Sequence, residues 1–276
     1  MASSIPHTHG DAAVNGTRLY YERAGRGLPI VLVSGGGTLD RRQWDGQFDV
    51  LAGSFDVVRY DIRGIGRSAR PDGECAHHDD LRALLQHLRI SSAVICGVSF
   101  GGAIAIDFAL DHPAMTSGLV LGCAGVSSDP EGVDAVRALA AIVKADGVDH
   151  AIDLVIGLPT FISQANQTAR SRIREIYLDN RDVFEDGFRL ATLWRPTTPP
   201  ARSRLHTIAV PTLVVVGGRD HAATRTRADE LVASIAGAEK IAIEEAAHML
   251  NMDAPAALTR AIQAFVQRMQ SSRRPF

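Results

Sequence analysis

A serine framed by glycines, Gly97-Val98-Ser99-Phe100-Gly101, stands between an apolar run of β character, Ala93 to Val98, and a helical pattern that begins at Phe100. A strand that turns straight into a helix forces the serine into strained backbone angles and projects its hydroxyl from the sheet edge. Only glycine at 97 and 101 leaves room for the neighbouring backbone to pass. The chemistry this arrangement offers is nucleophilic attack on a carbonyl. A serine hydroxyl is a weak nucleophile on its own, so a base must take its proton and an acid must orient the base.

In this arrangement the order along the chain is serine, acid, histidine. Of the ten histidines, His248 follows the last apolar run, Lys240 to Ile243, and precedes the last helical pattern. That context lets a base reach the carboxyl edge of the sheet. The acid is expected at Asp220, directly after the run Thr212 to Val216 in Gly217-Gly218-Arg219-Asp220. Its rival, Asp129, lies after an earlier run and also suits the N-cap of a helix beginning at Pro130. A tetrahedral oxyanion needs two donors, expected from the Phe100 backbone N–H and from the loop Ser34 to Gly37, with Gly36 the choice there.

These residues need a sheet to hold them. Apolar blocks of four to six residues alternate with helical patterns, which is how a mostly parallel sheet covered by helices reads. The expected fold class is α/β, with an eight-stranded sheet. Asn15-Gly16 between Ala13-Val14 and Arg18 to Arg23 signals an opening hairpin, with His7 and His9 in a disordered tip before it. The helical segment His78 to Leu88 sets Leu81, Leu84, Leu85 and Leu88 on one face. Residues 127–205 carry helical patterns without strand runs and are expected to form an inserted cap on a core of residues 1–126 and 206–276. Pro196 to Pro200 should return the chain to that core. Within the cap Phe161, Phe184, Phe188, Leu193 and Trp194 divide between core and substrate lining. Trp194, and Trp44 near the oxyanion loop, are the expected pocket walls.

Composition excludes other classes. Lys and Arg total 29 against 31 Asp and Glu, for a net charge of −2, which provides no cationic field for nucleic acid. Mean hydropathy is +0.02, ordinary for a globular chain. Cys75, Cys96 and Cys123 show no C-x-x-C spacing, so no disulfide framework or zinc knuckle is indicated. The stretch Ala93 to Leu110 fails as a membrane span because glycines, Ser99 and Asp107 interrupt it. With no basic-then-apolar start in Met1 to Asp11, a cytoplasmic location is expected. His77-His78-Asp79-Asp80 suits the first turn of a helix better than a metal site, since adjacent helical positions diverge. No metal and no cofactor are expected.

Together these segments resemble the α/β-hydrolase superfamily of serine hydrolases. Asp61 to Ser68 is similar to its D-x-R-G-x-G-x-S turn, Gly217 to Asp220 to its acid turn, and His248 to its terminal histidine. The likeness runs to the enol-lactonase and small-ester hydrolase branch through Arg59-Tyr60-Asp61, Cys96 to Gly102 and Pro211-Thr212-Leu213. One departure is Ser34-Gly35 where many members have His-Gly, a serine that is similar to the lactonase branch. The resemblance implies a cofactor-free enzyme that cleaves an ester or lactone of a small, fairly apolar molecule. The same triad also suits a diketone C–C bond, a thioester or a natural-product methyl ester. Serine at the elbow argues against halide displacement and epoxide opening, which run through a carboxylate there. A non-hydrolytic small-molecule binder is the reading from another class. The expected partner is a small-molecule substrate, with neither nucleic acid nor membrane, and the oligomeric state is unknown.

Overall fold

The Asn15-Gly16 signal becomes a tight hairpin. Both residues take positive φ, and β1 (His7–Val14) and β2 (Thr17–Gly25) pair antiparallel in the register Val14 to Thr17. A computed structural model describes residues 7–35, 38–127, 129–186 and 189–272. His7 and His9, expected in a disordered tip, instead lie in β1, where His7 pairs with Ala24. The exposed polar pattern of this edge strand conceals it from a reading of apolar runs.

The remaining strands are β3 (Pro29–Val33), β4 (Asp56–Tyr60), β5 (Ala93–Val98), β6 (Thr116–Gly122), β7 (Thr212–Gly217) and β8 (Glu239–Ile243). They form one eight-stranded sheet in the order β1-β2-β4-β3-β5-β6-β7-β8. Pairing is parallel from β4 to β8, and β2 meets β4 antiparallel. Strands β5, β6 and β7 are buried along their whole length, as central parallel strands covered on both faces must be.

Before β6 the chain makes α1 (Asp45–Ala52), α2 (His77–His87) and α3 (Phe100–Asp111). In α2, Leu81, Leu84 and Leu85 are the buried face. In α3 every residue from Gly101 to Leu110 is buried, so it reads as apolar nearly all round because it lies inside the molecule.

Between β6 and β7 come α4 (Pro130–Asp146), α5 (Val148–Gly157), α6 (Gln167–Asp179), α7 (Arg181–Glu185), α8 (Arg189–Leu193) and α9 (Ala201–Arg204). Val148, Ile152, Ile162, Ile173 and Phe184 of this stretch join one apolar cluster with Leu32, Leu39, Val98 and Val215 of the sheet side. Polar contacts add a second anchorage. Asn180 donates to Asp40 at 3.0 Å and accepts from the Gly66 amide at 2.9 Å. That amide belongs to the turn Asp61 to Ser68, held from within by Ser68 Oγ donating to the Asp61 carbonyl at 2.6 Å. The chain closes with α10 (Ala222–Ser234), α11 (Leu250–Asp253) and α12 (Pro255–Ser272). Among the described residues no helix is long and apolar enough to cross a membrane.

Candidate active site

Ser99 sits between β5 and α3 with φ 53° and ψ −116°, a conformation that costs of order 1–3 kcal/mol for a residue with a side chain. Four main-chain hydrogen bonds hold it there. Its amide donates to the Gly122 carbonyl at 2.9 Å, and its carbonyl accepts from Gly102, Ala103 and Gly125 at 2.9, 3.2 and 3.0 Å. A Cβ at residue 97 would lie 2.1 Å from the Gly101 carbonyl oxygen, and one at 101 would lie 2.3 Å from that of Val33. Both glycines are therefore required by close backbone approach.

Three loops at the carboxyl ends of β5, β7 and β8 bring the side chains together. Ser99 Oγ lies 2.8 Å from His248 Nε2, and His248 Nδ1 lies 2.9 and 3.1 Å from the two Asp220 carboxyl oxygens. The acid and histidine loops are themselves joined, since Gly218 and Arg219 amides donate to the Ile243 and Ala246 carbonyls. The His248 side chain keeps 18% of its exposure, whereas that of Asp220 has none.

Burial alone would raise the Asp220 carboxyl. Hydrogen bonds from His248, the Cys123 thiol and the His221 amide at 2.6 Å outweigh it, so the group is held below the usual carboxylate range. Burial and the neighbouring Asp220 charge drive the Cys123 thiol the other way, well above its ordinary value. Cys123, with φ 43° just beyond β6, was not expected at the site. Cys123, Asp220 and His248 offer ligand atoms within 4.8 Å of one another, the one such grouping among the described residues. Its histidine and carboxylate are already engaged with each other and its thiol stays protonated, which makes it a poor metal site.

Phe100, the first residue of α3, has an amide that the helix does not use, as an oxyanion donor requires. Gly36 lies outside the described residues, as does Phe188. Trp194 meets the Phe100 ring edge-on at 4.8 Å, and the His77 ring stacks on Trp194 at 6.3 Å. Burial pushes His77 down to about 4, so it contributes an uncharged ring to this aromatic group. Phe161 stacks on the His248 imidazole at 6.2 Å.

The other residues singled out from the sequence take these places. Trp44 is 1% exposed and packs within the apolar cluster with Leu39 and Phe48, because the short 3₁₀ turn Arg41–Trp44 directs its indole inward. Asp129 neither reaches His248 nor caps α4 through its side chain; Arg202 and Arg227 hold its carboxyl at 3.0 and 2.9 Å. The four residues of His77-His78-Asp79-Asp80 diverge. His77 meets the Phe100 ring, His78 reaches Asp111, Asp79 reaches His112 and Asp80 pairs with Arg63.

The sequence model of the alpha/beta hydrolase family matches residues 30–261. This chain belongs to that family. Among solved structures, the hydrolase is similar to an esterase from Thermogutta terrifontis, at 26% identity and a TM-score of 0.81 over 95% of this chain and 99% of that one. An enol-lactonase from Burkholderia xenovorans LB400 matches at 27% identity and a TM-score of 0.80, over 94% of this chain and 100% of the other. The likeness thus runs to the enol-lactonase and esterase branch. A soluble epoxide hydrolase from Corynebacterium sp. strain C12 is 34% identical over 108 residues, 38% of this chain and only 37% of that relative's length.

Proposed function

We propose that this hydrolase cleaves an ester or lactone bond of a small, fairly apolar molecule through an acyl-enzyme on Ser99. The observation that carries the reading is the unbroken relay from Ser99 Oγ through His248 to Asp220, at 2.8 and 2.9 Å, with the serine on a strained elbow. His248 Nε2 takes the Ser99 proton as Oγ attacks the carbonyl carbon. The oxyanion is stabilised by the Phe100 amide and a second donor from the Ser34 to Gly37 loop, for which Gly36 is proposed. His248 then returns the proton to the departing alkoxide oxygen. Water, deprotonated by the same nitrogen, attacks the acyl carbon, and the second tetrahedral intermediate collapses to release the acid and restore Ser99. Asp220 holds the imidazole in the tautomer that keeps Nε2 free to accept. These groups supply what acyl transfer requires without a metal or cofactor.

Residues 127–205 would act as the cap over this site. The Phe161 ring against the His248 imidazole, and the Phe100 ring, next in the chain to Ser99 and packed against Trp194, support an apolar substrate, since they offer dispersion and area rather than charge. Epoxide opening is not carried over from the partial relative, because the elbow presents a hydroxyl rather than a carboxylate. Ser99→Ala is expected to lower p-nitrophenyl ester turnover by at least about 10⁴-fold and to abolish labelling by a fluorophosphonate. Turnover or labelling that survives the substitution would overturn the mechanism.

A further inference from the structure

Asp220 orients the His248 ring, but something else must fix where its backbone stands, because the loop after β8 contains no regular structure until α11. The His248 amide donates to the Thr160 carbonyl at 2.9 Å, and the Met249 amide donates to the Phe161 carbonyl at 2.9 Å. Both acceptors belong to the stretch between α5 and α6. The amide of Ala247, just before the histidine, donates to Asp253 Oδ2 at 2.9 Å, and the Ser163 amide donates to the same oxygen at 3.2 Å. Asn166 Nδ2 donates to Asp253 Oδ1 at 3.2 Å and to the Asp253 carbonyl at 3.1 Å, while Asn166 Oδ1 caps α6 through the Ala169 amide at 3.1 Å.

We infer that Asp253 is a positioning residue that locks the 160–166 segment to the histidine loop, so that the helical insertion sets the place of the base as well as the shape of the pocket. The inference rests on the serine-hydrolase reading above. A single carboxyl receives amides from both sides, and α6 is tied through Asn166 and Asp253 to Ala247, one residue from His248. The cap edge beside His248 is thereby a fixed shelf. Displacing a base by about 1 Å can cost about 10²-fold in rate, so loosening this clamp acts on the chemical step. Substrate reach would not matter to that loss.

An exchange of hydrogen-bonding partners tests the clamp. Asp253→Asn keeps the shape but can no longer accept from all of its donors, because its NH₂ must face either Asn166 or the two backbone amides. With p-nitrophenyl acetate, an ester too small to reach far into the cap, kcat is expected to fall about tenfold with KM within about twofold. Adding Asn166→Asp supplies an acceptor for the new NH₂ and still caps α6 but gives up the bond to the residue 253 carbonyl, so kcat should recover in part, to within about fivefold of wild type. A melting temperature well above that of the assay establishes that each variant is folded. Should Asp253→Asn not fold, Asn166→Ser retains a capping oxygen, drops the amide that reaches Asp253, and should lower kcat about threefold. An unchanged kcat, a change confined to KM, or a double variant no better than the single one would overturn the clamp while leaving the hydrolase reading intact. A wild-type chain inert toward esters would remove both.

Discussion

Asp220 and Asp107 are both carboxyls without side-chain exposure, and they are shifted in opposite directions. At the site, burial raises Asp220 but the donors around it, His248, Cys123 and the His221 amide, hold it ionised. Asp107 lies on α3, where it meets the chain before α4 and again after α8. It accepts from Ser127 Oγ at 2.6 Å and from the Thr197 amide at 3.2 Å. Two neutral donors do not offset its burial, nearby Asp111 adds repulsion that Arg204 only partly relieves, and the group is raised to about 6. His78 approaches from α2, at 4.0 Å, but its own burial favours the uncharged ring. Similar burial thus goes with a lowered carboxyl beside His248 and with a carboxyl raised to about 6 between Ser127 and Thr197.

Asp220→Asn breaks the comparison at its functional end. The amide presents the wrong group to His248 Nδ1 in one orientation and loses the charge in both, so kcat should fall about 10³- to 10⁴-fold with little change in KM. Steady-state kinetics on a p-nitrophenyl ester measures it, and a loss under tenfold would remove Asp220 from the relay. Stability should follow the charge as well. A carboxyl whose folded pKa is lowered contributes stability that is present above its unfolded value and lost as pH falls through the folded one. The variant should therefore melt below wild type at neutral pH, with the gap closing in strong acid.

Asp107→Asn tests the other end and should have the opposite sign. A carboxyl raised to about 6 from an ordinary 3.8 contributes no penalty below the unfolded value, and its cost grows as pH rises until it is complete above about 6. A shift of that size corresponds to an upper bound of about 3 kcal/mol. The asparagine can accept from the Thr197 amide and donate to Ser127 Oγ, so both contacts can persist. Between pH 4 and pH 8, melting of wild type should drop relative to the variant by a few degrees, with kcat at pH 8 within about twofold. Parallel melting curves across that range would show that Asp107 does not titrate there.

How much of this was legible in the sequence depends on distance along the chain. The elbow was readable because strand, serine and helix are contiguous from Ala93 to Asp111, and the hairpin because Asn15-Gly16 carries its own backbone preference. His248 and Asp220 were readable as residues at strand exits. What escaped was set by contacts across long separations. Arg202 captures Asp129 from 73 residues further along the chain, Asp253 gathers amides from residues 163 and 247, and a ring contact joins His77 to Trp194. Trp44 escaped because its 3₁₀ turn faces inward, and β1 because one edge strand carries few apolar residues.

Cys123 sharpens the comparison in its smallest step, since its thiol is one of the donors that Asp220 has and Asp107 lacks. It is buried beside the carboxyl, its amide donates to the Val215 carbonyl at 2.8 Å, and its raised pKa keeps the proton available. A thiol is a weak donor, and a hydrogen bond of this kind contributes about 1 kcal/mol or less. Cys123→Ala leaves the His248 and His221 bonds to Asp220 in place. The expected result is a two- to fivefold fall in kcat at unchanged KM, with Cys123→Ser, which can still donate, closer to wild type. If alanine and serine lower kcat equally, the thiol fills space beside Asp220 and does not help to hold its charge.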